Sequence, residues 1–334
     1  METNTKETRT LGLINRILEI IADQNSPEIK TLVTHRFPDD DGWFCLWLIK
    51  KFVPKTANAE LVFVNAGEIL PGSEDDPSVL HFDTGGGEND QHGKGLHYVS
   101  SAMLLTDRLE LSEDPGLKPL LELTKMVDNI EPLPPTSIHF AIEGYPRHPD
   151  FKRPDETIDW KLVQREVFRL FDIVYAQETK RSESRKNLEK FAEWTTLPNG
   201  LRVASLLWHP ECREAAFEEG ATVVIWTVPR GKNHFYTGIQ THRQYPLYLD
   251  NVVASLRGQE AKVRQTSLPE NPKQIGRQGP WYLHDSKRLI LNGSRSWKPT
   301  EEEYTKLAPR QIVGLVLRTL STIPREIVSR WNEK

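Results

Sequence analysis

Lys30-Thr31-Leu32-Val33-Thr34-His35-Arg36-Phe37-Pro38-Asp39-Asp40-Asp41-Gly42 is the stretch on which the fold turns. Its first five residues form a short β-branched run that reads as a buried strand. The polar loop Arg36 to Gly42 follows, and Trp43, Phe44, Leu46, Trp47, Leu48 and Phe52 then supply a helix packed on that strand. Glu60-Leu61-Val62-Phe63-Val64 is a second strand, which completes a β-α-β unit. Ser78 to Phe82 makes a third strand ending at Asp83, a glycine-rich loop runs on to Gly95, and Leu117 to Ile130 reads as a further helix. Upstream, Leu11, Ile14, Leu18 and Ile21 recur at helical spacing. Strands alternating with helices imply an α/β fold with a mostly parallel sheet, whose ligands bind at the carboxyl ends of the strands.

Six prolines between Pro132 and Pro154 mark a boundary, since none of them can sit inside a helix without breaking it. From Thr157 to Trp194 there is neither proline nor glycine, and apolar residues are interspersed with many charges, which predicts one long or once-broken connecting helix. Beyond it, Leu201 to Leu207, Thr222 to Val228 and Phe235 to Gln240 look like strands. Helices are expected near Pro210 to Glu219, Leu247 to Leu256 and Thr305 to Leu320. The expected organisation is a first α/β domain over residues 1–155, a connecting helix over 156–196 and a smaller C-terminal α/β domain over 197–334. No internal repeat or low-complexity tract interrupts it.

The 334 residues, 37% hydrophobic and 27% charged, exclude a fibrous or disordered chain. No apolar run approaches the roughly 18 residues that a membrane span needs, and the acidic first thirty residues do not read as a secretory leader. A cytoplasmic protein without a membrane partner is expected. Cys45 and Cys212, far apart in sequence, fit reduced core thiols better than a disulfide framework. The net charge of -4 conceals a division: residues 1–150 carry 25 acidic against 13 basic residues, and residues 151–334 carry 22 against 30. Clustered carboxylates suit a hard cation, and a cationic half suits an anionic substrate; solvated surface charge that differs between domains is the plainer account.

His35 stands at a strand end, and in an extended loop Asp39 and Asp41 point the same way because side chains alternate with a period of two. A histidine with two such carboxylates supplies mixed N and O ligands suited to Mn or Mg and, less selectively, Zn. The competing account is a polar loop in which one Asp caps the helix beginning near Trp43. Asp83 sits where parallel sheets place their ligands, the glycines after it let the backbone turn tightly, and Asp90 and His92 then return toward it. Asp128 closes an apolar helix, a place where a solvated acid is ordinary. Gly93-Lys94 lacks the Ser/Thr of a phosphate-binding Walker loop.

Taken in order, His35-x-x-x-Asp39-x-Asp41, the strand-end Asp83, the triplet Asp90-Gln91-His92 and the later Asp128 resemble the DHH phosphoesterase superfamily. That superfamily includes RecJ-type nucleases, oligoribonucleases and family II pyrophosphatases. The likeness is closest to the melanocyte-proliferating-gene exonuclease family, with which the chain shares the short spacing between Asp83 and the triplet and the terminal Val127-Asp128-Asn129. It spans residues 30–130 strongly and 197–320 faintly. The resemblance implies His35, Asp39 and Asp83 around one Mn²⁺ or Mg²⁺ ion and Asp41, Asp83 and Asp128 around a second, with Asp83 bridging. His92 would contact the scissile phosphate and Asp90 would orient its neighbours. Gln91 stands where the family has the first histidine of its triplet; an amide oxygen brings no charge and is the weaker ligand, so one ion or none is the alternative to two.

In the C-terminal half, Trp281 to His284 followed by Asn292-Gly293-Ser294 looks like the family's segment ending in a substrate loop. Arg230, Lys232, Arg243, Lys287, Arg288, Arg295 and Lys298 are candidates for phosphate contact, with Trp281, Tyr282 and Trp297 available to stack on bases. The reading is a metal-dependent phosphoesterase, an exonuclease or oligonucleotidase on single-stranded RNA or DNA. The alternatives are a small-molecule nucleotide or pyrophosphate phosphohydrolase, and a non-catalytic nucleotide-binding module whose site has decayed at Gln91. Strand polarity and oligomeric state leave no mark in the sequence.

Overall fold

A computed structural model describes residues 28–87, 89–92, 100–230, 234–266, 280–293, 300 and 303–332. It divides into two units, residues 1–180 and 181–334. The Leu11 to Ile21 pattern lies outside the described residues.

In the first unit, β1 (Thr31–His35) is flanked by β2 (Glu60–Val64) and β3 (Val79–His81), giving a three-stranded sheet in the order β2-β1-β3 with both pairings parallel. Alternation along β1 sends Leu32 into the main core and Val33 into a smaller one with Val64 and Val79. Burial on both faces explains why this strand reads as a continuous apolar run. The main core is built on α1 (Asp40–Phe52), whose residues from Asp40 to Ile49 are all buried. It is walled by α2 (Ser101–Arg108), α3 (Lys118–Asp128), the short α4 (Ile138–Gly144) and the first half of α5 (Trp160–Phe191). Aromatic side chains dominate the α1–α5 seam, with Phe44 and Trp47 both edge-on to Phe171 at 5.3 and 5.8 Å.

α5 runs unbroken for 32 residues through the stretch without proline or glycine. Its Val163, Val167 and Phe171 belong to the first core and its Leu188 to a core of the second unit. The second unit holds a six-stranded sheet of β4 (Glu193–Thr196), β5 (Arg202–Leu206), β6 (Val223–Arg230), β7 (His234–Thr241), β8 (Tyr282–Leu283) and β9 (Leu289–Asn292), in the order β4-β5-β6-β7-β9-β8. Within this sheet, among the described strands, only β5 and β6 pair in parallel. One face is covered by α7 (Asp250–Arg264) and α8 (Pro309–Ser321), the other by α6 (Arg213–Glu218), and α9 (Arg325–Asn332) ends the described chain. Cys45 and Cys212 are both buried free thiols. Among the described residues no helix is long and apolar enough to cross a membrane.

Candidate metal centre

The strand order places the carboxyl ends of β1 and β3 side by side at the point where chain connections diverge, the usual ligand position of an open parallel sheet. His35 is the last residue of β1, and Asp83 follows β3 by two residues. They meet: His35 Nε2 lies 3.1 Å from Asp83 Oδ2. His35 Nδ1 is 3.0 Å from the Arg36 carbonyl, which can only accept, so Nδ1 carries a proton and Nε2 is left to face Asp83. The hydrogen bond to Asp83 outweighs burial and lifts the imidazole from 6.5 to about 9.

The loop after β1 is shorter than the sequence suggests. α1 begins at Asp40, three residues before Trp43, because Asp39 caps it: its Oδ1 accepts from the backbone N–H groups of Asp41 at 3.0 Å and Gly42 at 3.2 Å. The expected period-two alternation therefore gives way to helical geometry, in which residues two apart point about 200° from each other. Each aspartate of the triplet goes a different way. Asp39 stays beside His35 and Asp83. Asp40 turns to the His139 imidazole with one oxygen, and its Oδ1 is buried with no hydrogen-bond partner. Burial raises Asp40 to about 6 against the opposing effect of His139. Asp41 is buried and points at the start of α2, where its two oxygens accept from Ser101 N at 2.8 Å and Ala102 N at 2.9 Å.

Gly42 keeps this layer thin. A Cβ there would stand 3.0 Å from Thr34 Oγ1, 3.1 Å from Pro38 Cβ and 3.2 Å from Asp83 Oδ2, so any side chain would push Asp83 from its place.

Asp83 itself has φ +52, a left-handed backbone that is uncommon outside glycine and tolerated best by Asn and Asp. The turn continues through Gly85 and Gly86, also at positive φ, and is closed by Asp90, whose Oδ2 accepts from Gly86 N at 2.8 Å. Asp90 Oδ1 accepts from the His92 backbone N–H and from its Nδ1, both at 2.9 Å. Buried Asp90 thus fixes the tautomer and aim of His92, whose side chain remains 68% exposed. Burial pulls His92 down, but the Asp90 hydrogen bond and the Asp83 charge leave it raised.

Gln91 is buried and wholly engaged. Its Nε2–H donates to Asp128 Oδ2 at 2.9 Å, and its Oε1 accepts from the Ser101 hydroxyl. Asp128, at the end of α3, is driven up to about 7 by burial, then by the charges of Asp39 and Asp83.

Two sets of ligating atoms lie within 4.8 Å of one another among the described residues: His35, Asp39 and Asp83, and Asp83, Asp90 and His92. Asp83 is common to both. No family model matches this chain. No curated protein matches it either. Among solved structures, a pGpG-specific phosphodiesterase, PggH, from Vibrio cholerae is similar at 9% identity and a TM-score of 0.30, covering 70% of this chain and 89% of its own. The DHH domain of a protein assigned to a family of ribosomal proteins is similar at 11% identity and a TM-score of 0.31, covering 95% and 90%.

The first set fits a divalent cation by its donors, one imidazole nitrogen and two carboxylates. The electrostatics point the same way. Asp41 and Asp83 are raised chiefly by burial and further by neighbouring carboxylates, so the acids are held together at a cost that a cation would relieve. Asp41 and Asp128 enter neither set, their oxygens being taken up by α2 and by Gln91.

The residues that organise this layer without a ligating atom are Ser100, Ser101 and Ala102. Ser100 caps α2 by accepting from Met103 N at 3.3 Å, a serine N-cap that the Ser100-Ser101 pair ahead of an apolar run could have signalled. The His139 partnership with Asp40 spans 99 positions and leaves no local trace.

The second unit places Arg230 at the end of β6, its guanidinium 4.5 Å over the Tyr236 ring and its Nε buried without a hydrogen-bond partner. Asn292 is buried, its Nδ2 donating to the Pro280 carbonyl at 2.6 Å. Gly293, at φ +91, passes so close to Tyr236 that a Cβ would lie 2.5 Å from the ring. Trp281 is a core residue and not a stacking surface, because it is fully buried with its Nε1–H directed at Glu260. Lys232, Ser294, Arg295, Trp297 and Lys298 lie outside the described residues.

Proposed function

We propose that this chain is a metal-dependent phosphoesterase of DHH type that cleaves phosphodiester bonds in short single-stranded oligonucleotides, an activity of the exonuclease kind. The observation that carries the reading is the junction at Asp83, where a nitrogen-and-carboxylate pocket and an imidazole held by a buried acid share one residue. His35 Nε2, Asp39 and Asp83 are the residues that would hold one Mn²⁺ or Mg²⁺ ion. Such an ion, when bound, lowers the pKa of a bound water and offsets charge on phosphoryl oxygens. The chain's own residues do the rest. Asp90 keeps a proton on His92 Nδ1, and the exposed, cationic-leaning ring, whose Nε2 lies 3.5 Å from the Gln91 amide nitrogen, would meet a phosphate oxygen. Asp41, accepting from the first backbone N–H groups of α2, ties α1 to that helix and so helps to position Asp39 at the start of α1. Gln91 places an N–H donor against Asp128 where a second cation would need a lone pair, so the arrangement favours a single ion. The cationic second half of the chain suits the polyanionic substrate.

End-labelled single-stranded RNA, DNA and dinucleotides incubated with Mn²⁺, Mg²⁺ or chelator, beside the Asp39→Asn variant, test this. Metal-dependent shortening that falls at least about a hundredfold in the variant is expected, since that substitution removes a ligand charge. Folded protein that turns over no phosphoester with any metal defeats the reading. In that event the Gln91 amide favours a binding module, for which Gln91→His is the probe: gain of turnover would show that only this ligand was missing.

A further inference from the structure

Phe37 lies between His35 and Asp39, and the chemistry above leaves it unused. Its ring is 62% exposed while the next residue, Pro38, is buried. The backbone at Phe37 has φ +54, a left-handed conformation that bulky residues rarely adopt and that sits poorly with the extended form usual before a proline. Such strain persists only where the surroundings impose it, and it collects at ligand sites. The restraints are visible on both sides. Arg36 N donates to the Val64 carbonyl at 2.7 Å, His35 Nδ1 donates to the Arg36 carbonyl at 3.0 Å, and Asp39 is fixed as the cap of α1. The chain therefore fixes the backbone that carries this exposed ring between the two candidate ligands His35 and Asp39.

The ring also has a backing. Phe37 meets Trp160 in a T-shaped contact at 5.3 Å, and Trp160 packs on Phe63 at 4.9 Å. With Phe63, Glu60, Lys161 and Gln164, Trp160 also lines an open pocket of about 460 Å³ at the start of β2, which Phe37 itself does not line. Phe37 is two positions along the chain from each of His35 and Asp39, which limits its Cα to about 7 Å from theirs. A nucleotide spans a similar distance from its phosphate to its base.

We propose that Phe37 is a stacking platform for the nucleobase next to the scissile phosphate, which selects base-bearing phosphodiesters over inorganic pyrophosphate. The proposal rests on the phosphoesterase reading and narrows its substrate. Every base has a π-face, so a platform of this kind tolerates sequence but requires an aromatic base.

The test compares wild type, Phe37→Ala, Phe37→Gly and Phe37→Tyr, with Mn²⁺, on a dinucleotide, the same dinucleotide with one abasic ribose, and pyrophosphate. Wild type is expected to prefer the intact dinucleotide over the abasic one by about ten- to a hundredfold in kcat/KM, the range of one base stack. Phe37→Ala should erase most of that preference, chiefly through KM, and Phe37→Tyr should keep it. Phe37→Gly, which the left-handed backbone accepts, should match Phe37→Ala and so separates loss of the ring from loss of the loop. An unchanged preference in Phe37→Ala overturns the proposal, as does an equal loss on all three substrates, which is the mark of a structural role. If wild type cleaves nothing, the phosphoesterase reading fails alone, and binding of a fluorescein-labelled trinucleotide decides the platform. Equal affinities for wild type and Phe37→Ala would then overturn it.

Discussion

Four aspartates of the first unit, Asp40, Asp41, Asp83 and Asp128, hold their protons more tightly folded than unfolded, which gives the metal-free protein a definite dependence on pH. Burial and neighbouring charge raise Asp128 to about 7, burial raises Asp40 to about 6, and Asp41 and Asp83 move in the same direction. His35 is raised to about 9 by its hydrogen bond to Asp83. For each of these groups the folded-state value exceeds the unfolded one. Their contribution to stability is therefore complete at low pH and disappears as pH rises through the folded-state value. Asp40 acts between about pH 4 and 6, Asp128 between about 4 and 7, and His35 between about 6.5 and 9. Glu218 moves the opposite way: burial would raise it, but its salt bridges to Arg181 and Arg185 hold it below its ordinary value. Thermal melts in chelator should thus give a lower Tm at pH 8.5 than at pH 6. Added Mn²⁺, which competes with protons for the same atoms, should raise Tm more at the higher pH. A Tm in chelator that rises across this range, or an equal Mn²⁺ shift at both pH values, would show that the acids are not gathered as described.

At the level of the element, α1 makes Asp39 serve twice, as helix cap and as candidate ligand, and the two duties can be separated. Asn caps a helix about as well as Asp, whereas Ala forfeits the cap at a cost of about 1 kcal/mol. Asp39→Asn should therefore unfold in urea at or above the wild-type midpoint without metal, since it also removes one of the crowded charges. Asp39→Ala should lose about 1 kcal/mol, and both should lose Mn²⁺ binding by calorimetry. Equal destabilisation by the two substitutions would deny the capping role. This double use also marks where sequence reading stopped. The β1–α1–β2 order, the position of His35 at a strand end, Asp83 just past β3 and the long α5 were all legible, because hydrophobic periodicity and strand ends are local properties. The divergence of Asp39, Asp40 and Asp41 was not. A capping bond three residues early converts an extended loop into a helical turn, and the partners that then receive Asp40 and Asp41, His139 and the start of α2, lie 60 or more positions away. The antiparallel pairing of most of the second sheet was hidden for a related reason. Short edge strands such as Tyr282–Leu283 carry no period of their own and are defined by the neighbour they pair with.

Across the whole molecule, charge is segregated along the chain. The first 150 residues carry 25 acidic residues, among them the buried Asp40, Asp41, Asp83 and Asp90, and the 30 basic residues beyond them outnumber their 22 acidic counterparts. An acidic centre attracts a cation but repels a nucleic acid, so the oligonucleotide substrate proposed above would have to be drawn by charge placed elsewhere. The second half has that charge, including Arg243, exposed just after β7, and Arg230 at the end of β6. The free energy of such attraction comes largely from release of counterions condensed on the phosphates, and it grows with the number of phosphates engaged. The steady-state KM should consequently rise with salt, and more steeply for longer substrates. Between about 50 and 300 mM KCl, log KM against log[KCl] should slope upward by about 0.7 for each phosphate contacted on a single strand. A pentanucleotide should thus show a steeper line than a dinucleotide until all contacted phosphates are counted. The length at which the slope stops increasing measures how many phosphates the protein holds. A slope near zero at every length would mean that the basic residues are ordinary solvated surface and that the substrate is read at the cation pocket alone.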